Sequence, residues 1–188
     1  ACRSCCSTPR TEYCTSSPSS AASELYKFTH LMLPLLQKGT QPRILHLASV
    51  AHWLGRINKK TWKGRKPYLV MDAYGQSKLA NILFSNVLAD RLKDTGITSN
   101  ALHPGGVDTP IFRHVPNAVM ALIRPTLTTP EKAASLPVSL ALDEQYAQIS
   151  GEYFANHKPA LRSPRARNSN LADELYYDTM AELNMPAL

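Results

Sequence analysis

From Glu24 onward, apolar positions recur at helical spacing: Leu25, Phe28, Leu31, Met32, Leu35 and Leu36 form one stripe. Gly39 marks the end of that helix, and Pro42 lies beyond it. Arg43–Ala48 is short, largely apolar and bounded by turn residues, the pattern of a buried strand. A long polar connection runs from His52 to about Val70. A second helix then carries Tyr74 and Lys78 and runs to about Lys93, with Gly96 as its cap. Residues 97–102 read as a second strand that ends in the sharp turn His103-Pro104-Gly105-Gly106. Thr129-Pro130-Glu131 combines a cap, a proline at the first position and an acid in the first turn, so a helix is expected from there to about Ala141. Gly151–Phe154 suits a short last strand. Ser169 or Asn170 would cap a terminal helix through Leu183.

Residues 1–23 lack any period. Ser, Thr, Pro and Cys dominate there, a composition that buries too little apolar surface to fold. Two segments result: 1–23, unstructured or unrelated, and 24–188, folded. Strands that alternate with helices predict an α/β layer fold built on a parallel sheet.

Composition changes this picture little. Hydrophobic residues make up 44% and charged residues 19%, ordinary for a globular chain, and 188 residues suffice for one core. No apolar run approaches the ~20 residues that span a bilayer, and the N-terminus lacks a charged-then-apolar leader pattern. The net charge of +7 gathers in two clusters: Arg56, Lys59, Lys60, Lys63, Arg65 and Lys66 around Trp62, then Arg162, Arg165 and Arg167. Basic residues interleaved with an aromatic suit single-stranded nucleic acid. A solvated loop explains them without such a partner and is the favoured reading, so no nucleic-acid partner is expected. Cys2, Cys5, Cys6 and Cys14 hold all the cysteine and lack a second pair or histidines at ligand spacing, so no metal site is expected.

The chemistry centres on Tyr74-Gly75-Gln76-Ser77-Lys78. On a helix, positions i and i+4 share a face, so phenol and ammonium can enter one pocket. A free phenol titrates near ~10, and a nearby cation lowers that value. A tyrosine tuned this way can exchange a proton with an alcohol or carbonyl oxygen. Ser49 stands at the end of one predicted strand and Pro104-Gly105 at the end of the next. In a parallel sheet those ends line one crevice. There the Ser49 hydroxyl can hold a substrate oxygen, and the glycine leaves room for a planar ring against the backbone.

Leu47-Ala48-Ser49-Val50-Ala51-His52, Tyr74-Gly75-Gln76-Ser77-Lys78-Leu79-Ala80-Asn81 and His103-Pro104-Gly105-Gly106-Val107-Asp108-Thr109 together resemble the short-chain dehydrogenase/reductase family, within it the retinol-dehydrogenase-like group. Ser150–Phe154 and Ser163-Pro164-Arg165-Ala166 resemble that group's C-terminal segments. The resemblance covers about Leu25 to Leu183. It implies the C-terminal part of a doubly wound, Rossmann-like parallel sheet flanked by helices. It also implies reversible hydride transfer between an alcohol, retinol-like or otherwise lipophilic, and a carbonyl. By resemblance Ser49 is the catalytic serine, Tyr74 the acid/base and Lys78 the tuning residue that also binds the nicotinamide ribose. Pro104, Gly105 and Thr109 then match the turn that holds the nicotinamide end of NADP or NAD, with NADP favoured. The implied partner is a small lipophilic substrate. The resemblance suits a cytoplasmic protein or one at the endoplasmic reticulum membrane, and leaves homo-oligomers open.

One departure is large. The family opens with a strand and a Gly-rich turn that receives the cofactor diphosphate, and none of the eight glycines here forms such a turn. The family's Asn-Ala-Gly segment is absent too, and its helical asparagine would fall near Ala21. A bare apolar edge is therefore expected beside Arg43–Ala48. The sequence supports an impaired oxidoreductase or, alternatively, a non-catalytic module that binds a partner through that edge.

Overall fold

The computed structural model describes residues 18–59, 70–107 and 127–188. Helix α1 spans Pro18–Leu36, strand β1 Arg43–Leu47, α2 Val70–Arg91 and β2 Thr98–His103. Short strands β3 (Gly106–Val107) and β4 (Leu127–Thr128) follow, then α3 (Pro130–Leu142), β5 (Tyr153–Ala155), β6 (Lys158–Pro159) and α4 (Ser169–Glu182). The main sheet has the order β1-β2-β5-β6, with β1, β2 and β5 parallel and β6 antiparallel. β3 pairs in parallel with β4 in a separate two-stranded piece. This is the partial Rossmann-like α/β fold that the sequence implies.

The two faces of the sheet bury different clusters. On one, Ile44 of β1, Ala101 of β2 and Tyr153 of β5 meet Tyr26 and Leu33 of α1, the buried run Leu79–Leu88 of α2, and Leu175, Tyr176 and Met180 of α4. On the other, Leu102 and Phe154 pack on Leu136 and Leu140 of α3, beside Tyr146. The strand period of two sends alternate residues to opposite faces. α2 is enclosed by α1, α4 and the sheet. It is therefore buried nearly all round from Leu79 to Ala89, including Asn81 and Ser85. The Ser85 hydroxyl is satisfied by the Ser99 hydroxyl of β2 at 3.1 Å.

Three boundaries differ from the expectations. α1 begins at Pro18, so residues 18–23 are helical rather than part of an unstructured leader. Pro is favoured at a helix's first position and Ala is the best helix former, but neither adds an apolar stripe. α4 is capped by Asn168, whose Oδ1 accepts from the Leu171 amide at 3.0 Å, not by Ser169 or Asn170. β1 is half buried, not fully buried: Ile44 and His46 are enclosed, while Leu47 is 53% exposed. Among the described residues β1 has only β2 beside it and forms the sheet edge.

The helix start at Thr129 is as expected. Its hydroxyl accepts from the Lys132 amide at 3.3 Å, and Pro130 follows it. The four cysteines, Thr109, and Lys60, Trp62, Lys63, Arg65 and Lys66 lie outside the described residues. Lys59 of the first basic cluster is paired with Glu174 and Asp178 of α4, and Arg162 of the second donates to the Gly151 carbonyl at 2.7 Å.

Candidate active site

Tyr74 and Lys78 lie one turn apart near the start of α2, and the Lys78 ammonium stands 5.5 Å from the centroid of the Tyr74 ring. The ring is 41% exposed, open to a ligand. Lys78 Nζ donates to the Leu47 carbonyl at 3.1 Å, and Asn81 Nδ2 donates to the same oxygen at 2.9 Å. That carbonyl is the last of β1, two residues before Ser49. α2 is thus fastened to the strand end that carries the serine. Burial pulls the Lys78 ammonium below the ordinary lysine range. One of its three donors is spent on Leu47, and the others remain for neighbours.

Ser49 is buried and caps a 3₁₀ turn at Val50–Trp53, its Oγ accepting from the Ala51 amide at 3.2 Å. A backbone amide can only donate. The Ser49 proton therefore has no acceptor among the described residues and can be donated to an oxygen in the crevice. The turn presses against α2 through two glycines. A Cβ on Gly75 would meet the Ala51 carbonyl oxygen at 3.0 Å, and one on Gly55 would meet the Gly75 carbonyl carbon at 2.8 Å. Backbone meets backbone here only because neither residue has a side chain.

The parallel register Leu47↔Leu102 puts the ends of β1 and β2 side by side, so Pro104-Gly105 follows beside Ser49. Gly105 has φ +98°, a conformation that glycine supplies without strain, and among the described residues a Cβ there would meet Thr128 Cγ2 at 3.7 Å. Beneath lie groups that no local spacing signals. His52 is fully enclosed, with its ring edge-on to Tyr153 at 5.1 Å. The Tyr153 hydroxyl and His103 Nδ1 are buried and lack hydrogen-bond partners among the described residues. Burial, with Tyr74 nearby, pushes the Tyr153 phenol up to about 12. Burial, with His52 nearby, lowers His103.

The structure brings Ser49, Tyr74, Lys78, Pro104 and Gly105 to one end of the sheet. The sequence reading missed Asn81, His52, Gly55 and Tyr153. Asn81, His52 and Tyr153 do fall inside the stretches that carry the resemblance, the one signal that could have found them.

A mostly parallel α/β sheet with these side chains gathered at its strand ends has the form of a Rossmann-like fold with a ligand crevice. The model of the short chain dehydrogenase family matches residues 24–119, and the chain belongs to that family. Bovine retinol dehydrogenase 12 is 40% identical over 153 residues, covering 80% of this chain and 48% of that protein. Human retinol dehydrogenase 11 is 36% identical, covering 86% and 51%. The chain therefore spans about half the length of the curated relatives it matches. Among solved structures, a protein from Mycobacterium paratuberculosis superposes with a TM-score of 0.57 at 27% identity, over 78% of this chain and 52% of that one. Pseudomonas aeruginosa RhlG, in its NADP active-site complex, superposes at 0.53 and 27% identity, over 73% and 58%.

Proposed function

We propose that residues 24–188 carry the proton-transfer side of an NAD(P)-dependent oxidoreductase that interconverts a small lipophilic alcohol and its carbonyl. The observation that carries this reading is the Lys78 ammonium, held 5.5 Å from the Tyr74 ring while tied to the strand end before Ser49. In the reducing direction Tyr74 gives its phenolic proton to the substrate oxygen, and in the oxidising direction it takes the proton back. Ser49 donates its free proton to the same oxygen and orients it. Lys78 keeps positive charge beside the ring, in the tuning role that the resemblance implies. Pro104 and Gly105, with Lys78 and Tyr74, would hold the nicotinamide end of the cofactor, and the resemblance adds Thr109, which lies outside the described residues. The missing side chain and the positive φ of Gly105 support that placement. A nicotinamide held there would supply or accept the hydride. NADP is favoured over NAD by the family resemblance and by the NADP complex of RhlG.

The test is Tyr74→Phe in a chain where residues 24–188 follow a dinucleotide-binding half. Turnover should fall by ~10²–10⁴-fold, the usual worth of general acid–base catalysis, with NADPH affinity nearly unchanged. Retention of more than about a tenth of the turnover would count against the role.

A second reading rests on the β1 edge, where Leu47 is 53% exposed and no glycine-rich diphosphate turn appears in the sequence. In that reading the 188 residues are a non-catalytic module that pairs through the edge. NADPH titration of these residues alone, followed by tryptophan fluorescence, separates the two. Micromolar binding supports the first.

A further inference from the structure

We infer that His52 is the positioning residue of this site, holding the Ser49 turn against a second turn at Ser163, 111 residues away. The inference rests on the reading of Ser49 given above. The Ser163 amide donates to His52 Nε2 at 3.1 Å. An amide cannot accept, so Nε2 carries a lone pair. The ring proton of the neutral imidazole then sits on Nδ1, which donates to the Ser49 carbonyl at 2.7 Å. The two bonds fix one tautomer and one ring orientation. The ring is fully enclosed and wedged between Trp53 and Tyr153 at centroid distances of 5.6 and 5.1 Å. Burial lowers its basicity, with the Ser49 carbonyl acting in the opposite direction, and the neutral form is the one that makes both bonds.

The Ser163 turn is itself anchored. Ser163 is buried, and its hydroxyl accepts from the Ala166 amide at 3.3 Å. Arg165 reaches the Gly55 carbonyl at 3.4 Å, so the turn meets the Ser49–Gly55 segment twice. Its far end is tied to α2, where Asn86 Nδ2 donates to the Ala166 carbonyl at 2.8 Å. Besides the packing of Gly55 on Gly75 and the Asn58 amide's bond to Gln76 Oε1 at 2.7 Å, two side-chain routes connect Tyr74 and Ser49. One is direct, through Lys78, Asn81 and the Leu47 carbonyl. The other runs from α2 through Asn86, Ala166, Ser163 and His52 to the Ser49 carbonyl. The direct route stops two residues short of Ser49, and the His52 route reaches Ser49 itself. Ser163-Pro164-Arg165-Ala166, at the far end of the chain, thereby acquires a task in setting the serine against the tyrosine.

The test uses His52→Phe, His52→Asn and His52→Gln. Phe keeps ring volume and removes both bonds. Asn keeps a donor near the Nδ1 position, and Gln keeps an acceptor near the Nε2 position. In the 188-residue chain, hydrogen exchange read by mass spectrometry should accelerate in the peptide over 48–55 for the Phe variant. Exchange in α2 and β2 should stay as in the parent, and Asn and Gln should each restore part of the protection. In the joined chain used for Tyr74, kcat should fall about tenfold for Phe with the KM for NADPH unchanged, and Asn and Gln should recover part of it. Parental exchange at 48–55 and parental kcat in the Phe variant would overturn the inference. So would Asn and Gln variants no better than Phe, since packing alone would then explain the ring. The two readings fail separately. Turnover that survives Tyr74→Phe removes the proposed chemistry, while the exchange result still decides whether His52 holds Ser49.

Discussion

Adding one methyl group at Gly55 tests whether the serine turn must touch α2. In Gly55→Ala the new Cβ would lie 2.8 Å from the Gly75 carbonyl carbon and 2.9 Å from Leu79 Cβ, with the Gly75 oxygen closer still. Ordinary contact begins near 3.4 Å, so the turn must withdraw by roughly an ångström, because α2 is enclosed and cannot yield. Two costs follow. Overpacking of this kind destabilises by about 1–3 kcal/mol, and 2 kcal/mol would lower Tm by roughly 4–8 °C in a chain of this size. Displacing Ser49 relative to Tyr74 by about 1 Å can cost ~10²-fold in rate. Gly75→Ala is the internal control. Its nearest contacts are 3.0 Å to the Ala51 oxygen and 3.1 Å to the Gly55 nitrogen, so a few tenths of an ångström suffice. We expect Gly75→Ala to fall between the parent and Gly55→Ala in both Tm and kcat. The assays are thermal denaturation of the 188 residues and steady-state turnover of the joined chain. A Gly55→Ala protein with parental Tm and kcat, or a reversed order of the pair, would refute the reasoning.

Three further outcomes are expected. His46 is buried on β1 with neither ring nitrogen partnered among the described residues, and burial lowers its pKa to about 4. Above the ordinary value of ~6.5 it is neutral in both states. As pH falls from there to about 4, the unfolded chain binds the proton first, so up to about 3 kcal/mol of stability is lost; His46→Leu should flatten that limb in urea titrations. The edge of β1, unpaired among the described residues, should make the chain associate with rising concentration on gel filtration, and Leu47→Lys should shift it toward monomer, because edge charges oppose strand addition. A Leu47→Lys chain that still associates at parental concentration would place the contact elsewhere. Lys78→Arg keeps the charge but not the compact ammonium that fits the Leu47 carbonyl. Turnover and cofactor affinity should fall together in the joined chain, and an unchanged affinity would remove the ribose role.

Some of this structure is legible because its causes are local. The Thr129 cap, the helix that pairs Tyr74 with Lys78 and the turn at Gly105 each follow from residues within four positions of one another. The β5–β6 hairpin is local too, but it escaped notice. Its turn uses Asn156 and His157, both at positive φ (50° and 61°), where the usual signal is a glycine. Asn and His are among the residues that tolerate this region, so nothing in the sequence stands out. The site itself was legible in its side chains and illegible in its supports. Lys78 and Asn81 bond to the Leu47 carbonyl, His52 to the Ser49 carbonyl and the Ser163 amide, Asn86 to the Ala166 carbonyl, and Arg165 to the Gly55 carbonyl. Arg43 likewise closes the end of α3 through the carbonyls of Leu140 and Asp143, at 3.0 and 2.8 Å. In every case one partner is a main-chain atom, which every residue type supplies in the same form. A pattern of residue types can mark the side chain in such a bond, but it carries no trace of where that side chain lands. The site's geometry therefore depends on which carbonyls and amides the topology delivers to the ends of β1 and β2, and only the folded chain specifies that.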